Sequence, residues 1–181
     1  ISRILVTTKP TSFMSARLHT MFLVLLDTGI RATELLTLTM KNLDLPHSEM
    51  KVVGKGNKER IVPFGPTTKK ALLMWTVRYH KDSPLVFHGI EGEALTYTAL
   101  AHLLKRLGEK AGVPRLHCHL IRHSAALRWL MAGGDVISLK NLLGHVDVTT
   151  TQLYLHMASQ DVQLKHQQFS PVETLRPKKR N

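Results

Sequence analysis

The sequence predicts a mainly α-helical fold with one small antiparallel β-sheet, an α+β arrangement. Three observations predict it. Apolar residues recur at helical spacing in most of the chain, as in Leu100, Leu103, Leu104 and Leu107. Helix boundaries are punctuated by cap residues at one end and glycines at the other. A single hairpin signal, Gly54-Lys55-Gly56-Asn57-Lys58 between two extended runs, interrupts the helical pattern.

Taken in order, residues 1–10 read as irregular or weakly extended. Thr11 or Ser12 caps a helix running to about Thr28, and Gly29 ends it. A short helix follows with Arg31, Glu34, Leu35 and Leu38. Residues 43–45 read as a short strand and 46–48 as a turn. Residues 50–54 and 60–64 are the hairpin strands, and Pro63 assigns the last one to a sheet edge. Pro66 and Thr67 open a helix to about His80, with Leu72, Leu73, Trp75 and Val77 as its apolar contacts. Residues 83–93 form a loop with an extended piece at 85–87. Further helices span about 96–111, 119–132 (stopped by Gly133-Gly134) and 135–143 (capped by Asp135). Thr149 or Thr150 begins a helix carrying Tyr154, and 159–169 is helical again. Residues 170–181 hold two prolines and a basic end, and read as a mobile tail.

The bulk numbers limit the function classes. The 181 residues suit one ordinary domain or two small ones, and 43% hydrophobic residues can build a core. Lys and Arg number 25 against 13 Asp and Glu, a formal charge of +12 that points to a polyanion, nucleic acid first. No basic amphipathic stretch supports a membrane surface. The longest apolar run, residues 21–26, is too short to span a bilayer. Cys118 is the one cysteine, so an internal disulfide and a multi-cysteine zinc site are excluded and a reducing, cytoplasmic setting fits. No signal peptide is visible. Ile1 stands where an initiator methionine is expected, so the chain reads as part of a longer protein.

Five places carry candidate chemistry, and each has an ordinary alternative. Arg31 sits just after Gly29 at a helix start, where backbone N–H groups favour an anion, and shares a face with Glu34 three residues on. The pair could equally be a surface ion pair. Lys55 lies between two glycines at a hairpin tip, where the backbone can approach a ligand closely, though tip lysines are ordinarily just solvated. His119, Arg122 and His123 stand at i, i+3 and i+4, so His119 and Arg122 can address one anion, with arginine suited to a forked phosphate contact. Those histidines could instead satisfy backbone groups, or His117, His119 and His123 could ligate a metal, although no fourth ligand is evident. His145 follows Gly144 at a helix end, where capping or burial is the plain explanation. Tyr154, in Thr149-Thr150-Thr151-Gln152-Leu153-Tyr154-Leu155, could be a core or rim aromatic.

Four motifs in one order carry more weight than any of them singly. They are Thr28-Gly29-Ile30-Arg31-Ala32-Thr33-Glu34-Leu35, Gly54-Lys55-Gly56-Asn57-Lys58-Glu59-Arg60, His119-Leu120-Ile121-Arg122-His123, and Leu142-Leu143-Gly144-His145 with Tyr154 nine residues further. With them the chain resembles the catalytic domain of the tyrosine recombinase (phage integrase) family over roughly residues 11–169. Ala32-Thr33 departs slightly from the family's usual residues before Glu34.

The resemblance implies the tyrosine recombinase catalytic-domain fold over residues 1–169, with 170–181 as the tail and an N-terminal DNA-binding domain absent from this chain. It implies Tyr154 as the nucleophile that forms a 3′-phosphotyrosyl link, and Arg31 and Arg122 as clamps on the non-bridging oxygens. His145 would add a further hydrogen bond, Lys55 would act as general acid for the leaving 5′-oxygen, His119 would help take the tyrosine proton, and Glu34 would support Arg31. It implies no cofactor and no metal, because two arginines and a lysine supply the charge neutralisation usually left to one. The implied partners are double-stranded DNA and further copies of the chain, a tetramer on paired sites joined through the segment after Met157. An accessory directionality protein is a further candidate. A type IB DNA topoisomerase, or a non-catalytic DNA-binding protein of the same fold, are the alternatives.

Overall fold

In the computed structural model residues 2–144 are described. Seven α-helices and one three-stranded sheet make them up: α1 (Ser2–Thr7), α2 (Phe13–Thr28), α3 (Ala32–Leu36), β1 (Leu43–Asp44), β2 (Glu49–Val53), β3 (Glu59–Pro63), α4 (Pro66–Arg78), α5 (Tyr97–Lys110), α6 (Cys118–Met131) and α7 (Val136–Leu143). Single 3-10 turns lie at Met40–Asn42 and Lys55–Asn57. The mainly α fold with a small antiparallel sheet is therefore the observed one. The expected helices beyond Gly144 and the basic tail fall outside the described residues.

The helix α2 is the centre. Its run of Met21, Phe22, Leu23, Val24 and Leu25 is buried on every side, which marks a helix surrounded by others rather than one lying on a surface. It packs against α4 on one side and α6 on the other. Ser12 caps it, accepting from the Ser15 N–H while the Ser15 hydroxyl accepts from the Ser12 N–H, a reciprocal pair that satisfies two orphan donors. Gly29 ends it in the left-handed region at φ 62°.

The sheet runs β1-β2-β3, antiparallel throughout, with Glu49 opposite Pro63 and Val53 opposite Glu59. On β2, Met50 and Val52 are buried while Lys51 and Val53 face out, the period-2 pattern of a half-buried strand. Pro63 lies on an edge strand, as expected. The connection from α4 to α5 is tied down rather than loose. Val86 N–H donates to the Leu38 carbonyl at 2.8 Å, the Trp75 indole donates to the Val86 carbonyl at 2.7 Å, and the buried Arg17 donates to the His88 carbonyl at 2.6 Å.

Two expectations fail. Residues 2–7 are helical, and α1 lays Ile4 into the core and packs on α5. Leu73 and Val77 on α4 face outward, at 48% and 79% exposure, because Leu72 and Trp75 already turn the apolar face of the helix to α2. A separate small cluster of Ala126, Leu139 and Leu143, with Leu130 against it, joins α6 to α7. That junction, the end of α2 and the start of α3 converge on one place.

Candidate active site

The place of convergence is a cleft of about 510 Å³ lined by Arg31, Tyr97, His119, Arg122 and His123, with Ile30, Cys118 and Leu143 as apolar wall. Local structure explains how each side chain arrives there. Gly29 turns the chain out of α2 so that Arg31, in extended backbone at φ −72° and ψ 152°, becomes the residue before α3. His119 and Arg122 occupy the first turns of α6, one turn apart and on one face. His119 and His123 are exposed, and Arg122 is half-buried.

Behind the cleft sits Glu34, whose side chain is 2% exposed. Each of its carboxylate oxygens accepts two hydrogen bonds. Oε1 takes Nη1 of Arg31 at 3.1 Å and Nη1 of Arg60 at 2.7 Å. Oε2 takes the Arg31 backbone N–H at 2.8 Å and Nη2 of Arg60 at 2.9 Å. The four acceptor positions of a carboxylate are thus all used. Burial alone pushes the Glu34 carboxyl up, but the Arg60 fork, the Arg31 N–H and the Arg31 guanidinium outweigh it and hold the group below the ordinary carboxylate range.

The end of α7 closes the arrangement. The last carbonyls of a helix have no partner within it and carry the negative end of its dipole. Here three consecutive ones each take an arginine from a different element. Arg60 on β3 donates Nε to Leu142 O at 3.0 Å, Arg122 on α6 donates Nη2 to Leu143 O at 2.8 Å, and Arg31 donates Nη2 to Gly144 O at 3.1 Å. Arg122 also donates Nη1 to the Gly29 carbonyl, which ties α6 to the end of α2. Consecutive residues are about 3.8 Å apart, so the Arg31 and Arg122 guanidiniums meet the same helical turn.

Glycines make this closeness feasible. At Gly29 a β-carbon would lie 2.5 Å from Cδ2 of Leu143, and at Gly144 (φ 61°) it would lie 2.9 Å from Cζ of Arg60. At Gly54, the residue before Lys55, it would lie 3.3 Å from Oε1 of Glu34, so the base of the hairpin tip runs beside the carboxylate.

Among the residues named from sequence, Arg31, Glu34, His119 and Arg122 come together. The Lys55 backbone stands in the 3-10 turn at the hairpin tip. The Lys55 side chain, His145 and Tyr154 lie outside the described residues. The three-histidine metal alternative finds no support: His117 precedes α6 with Nδ1 2.6 Å from the Arg115 carbonyl oxygen, and no group of three or more potential ligands is gathered among the described residues. Burial raises the Cys118 thiol above its ordinary value, which makes this cleft residue a poor nucleophile.

Two residues of the site escaped the sequence reading. Tyr97, at the start of α5, is half exposed on the cleft wall. Arg60 stands within the hairpin motif, where the sequence assigns it no role. A signal for it existed. Arg60 and Val62 are two apart on β3, so they share the inner face, and an arginine on that face implies a buried acid partner.

The family model for the phage integrase family matches residues 1–161. Tyrosine recombinase XerC of Corynebacterium glutamicum is 36% identical over 135 residues, covering 73% of this chain and 44% of that protein. Tyrosine recombinase XerD of Staphylococcus epidermidis is 35% identical over 160 residues, covering 84% of this chain and 54% of its own length. The chain thus spans about half the length of these relatives. The crystal structure of XerH site-specific recombinase bound to difH substrate, a pre-cleavage complex, superimposes with a TM-score of 0.75 at 26% identity, over 91% of this chain and 50% of that one. Among the described residues no helix is long and apolar enough to cross a membrane.

Proposed function

The chain belongs to the phage integrase family, and on that premise we propose that it is the catalytic portion of a site-specific DNA recombinase that cuts and rejoins strands through a 3′-phosphotyrosyl intermediate. The observation that carries the reading is the meeting of Arg31 and Arg122 at the last turn of α7, beside His119 and immediately before His145. Two guanidiniums at one cleft suit the two non-bridging oxygens of a phosphodiester, where charge builds as the phosphorus is attacked.

In this reading the Tyr154 oxygen attacks the phosphorus, a P–O bond to tyrosine forms, and the bond to the 5′-oxygen breaks. Lys55 supplies the proton that the 5′-oxygen takes up. His119 assists removal of the phenolic proton, which at a pKa of about 10 does not leave unaided at neutral pH. Arg31, Arg122 and His145 hold the non-bridging oxygens, and Glu34 supports Arg31. The covalent link conserves the energy of the broken phosphodiester, so rejoining needs no external energy source. No cofactor or metal enters the scheme.

The partners proposed are double-stranded DNA, in the cytoplasm at the nucleoid, the protein being prokaryotic or that of a phage or mobile element, and other copies of the protein in a tetramer on paired sites. The segment after Met157 would dock on a neighbour, with an accessory directionality protein as a further partner. Residues 1–169 are the proposed catalytic domain and 170–181 its tail. Affinity resting on phosphate contacts falls steeply with salt. The test is capture of a covalent protein–DNA adduct on a nicked duplex. Wild type is expected to form it, with or without chelator, and Tyr154→Phe to form none. An adduct that survives Tyr154→Phe overturns the assignment of the nucleophile. Relaxation of a one-site plasmid without exchange between two sites would favour a type IB topoisomerase, and no adduct at all a non-catalytic DNA-binding protein.

A further inference from the structure

We infer that Arg60 is a positioning residue that preserves the positive charge of Arg31 for a bound phosphate by taking up the Glu34 carboxylate itself. The inference rests on the proposed reading of the cleft as a phosphodiester site. Glu34 is buried and ionised, and Arg31 stands three residues before it. Left alone, the two would form a closed, neutral pair, with the fork of Arg31 turned onto the carboxylate. The geometry is different. Arg60 holds both oxygens, at 2.7 and 2.9 Å, and its side chain is only 15% exposed, whereas Arg31 gives Glu34 a single guanidinium contact at 3.1 Å and keeps 37% of its side chain in solvent. The bidentate, desolvated pair is Arg60 with Glu34. Together the three groups hold one surplus positive charge, and it resides on the arginine that lines the cleft.

Two further contacts make Arg60 specific to this task. Its Nε donates to Leu142 O, so the guanidinium that neutralises Glu34 also braces the turn leading to Gly144, whose carbonyl accepts from Arg31. A β-carbon at Gly144 would lie 2.9 Å from Cζ of Arg60 and would displace the guanidinium, whereas one at Gly54 would reach Nη1 of Arg60 only at an ordinary contact distance of 3.5 Å. Lysine cannot replace it, since an ammonium has no planar fork for two oxygens.

The experiment uses the whole 181-residue chain and two probes. Inorganic phosphate is titrated while arginine side-chain NMR signals report binding at the cleft. A pool of nicked duplexes with randomised cores is used to recover adduct-forming sequences with wild type, which then serve the variants. Arg60→Met is expected to weaken phosphate binding and adduct formation roughly tenfold or more, because it leaves Arg31 paired with Glu34. Arg60→Lys is expected to fall between. Arg60→Met with Glu34→Gln removes both buried charges, restores the surplus on Arg31, and is expected to recover phosphate binding to within about threefold of wild type.

Thermal melts accompany each variant. If Arg60→Met does not fold, the double variant decides alone. A folded double variant that binds phosphate as wild type supports the inference, and one that binds weakly overturns it. Phosphate binding unchanged in folded Arg60→Met also overturns it. A merely structural Arg60 predicts loss in both variants, without rescue. A wild type that binds phosphate but yields no adduct refutes the recombinase reading while leaving the Arg60 result to stand.

Discussion

Replacing Gly29 by alanine tests whether the site is built on the close approach of α2 to α7. Two costs add. Gly29 lies at φ 62°, where a β-carbon costs about 1–2 kcal/mol. That β-carbon would also stand 2.5 Å from Cδ2 of Leu143, where unstrained carbon contacts are about 3.5–4.0 Å. Leu143 is 3% exposed and packed in the α6–α7 cluster, so relief requires a shift of the cluster, typically about 1–3 kcal/mol. The expected loss is about 2–5 kcal/mol. Urea denaturation measures it: at an m-value near 2 kcal/mol/M the midpoint falls by about 1–2.5 M. Leu143→Ala alone costs about 2–5 kcal/mol through its cavity. The double variant is expected to cost less than the two together by about 1–2 kcal/mol, since the truncated side chain no longer meets the new methyl. Gly29→Ala within about 0.5 kcal/mol of wild type, or strict additivity in the double variant, would refute the reasoning.

Other perturbations read other parts of the fold. Glu34 titrates below its unfolded value, so its ionisation adds stability above about pH 4.5 that is lost as pH falls through the native-state value. Glu34→Gln is expected to flatten that part of the urea-midpoint profile between pH 7 and 3, and parallel profiles would contradict an ionised Glu34 held by Arg31 and Arg60. Ser12→Ala removes one half of the α2 capping box and is expected to cost about 1 kcal/mol by the same denaturation assay. The buried, raised thiol of Cys118 is expected to react with a maleimide at pH 8 far more slowly in the native chain than in urea, and equal rates would mean the α6 start is open.

Much of this was legible in the sequence because local rules and tertiary demands agree. Ser12 and Gly29 mark the ends of α2 by capping chemistry, and Asp135 does the same for α7 by accepting from the Ser138 N–H. Gly56 at φ 76° and Asn57 at φ 58° are the residues that permit the hairpin tip. Where reading failed, burial decided rather than local pattern. Residues 2–7 carry no capping box or helical apolar repeat, and become helical by seating Ile4 against the core. Leu73 and Val77 have the right spacing for a core face, but α2 is covered by Leu72 and Trp75 first. The pairing of Arg31 with Glu34 was visible at three residues' separation. The role of Arg60, 26 residues from Glu34, depended on how the sheet lies against α3.

The α7 segment acts as a ruler with both ends fixed. At its start Gly134 passes tightly under the Trp129 ring and the indole donates to the Asp135 carbonyl at 3.2 Å; at its finish three guanidiniums grip successive peptides. Inserting one residue between them would turn the far end by about 100° and advance it about 1.5 Å, swinging every gripped oxygen away from its donor at once. Evolution can therefore exchange the outward side chains of this helix, such as Ile137, far more readily than it can change the number of residues between its anchors.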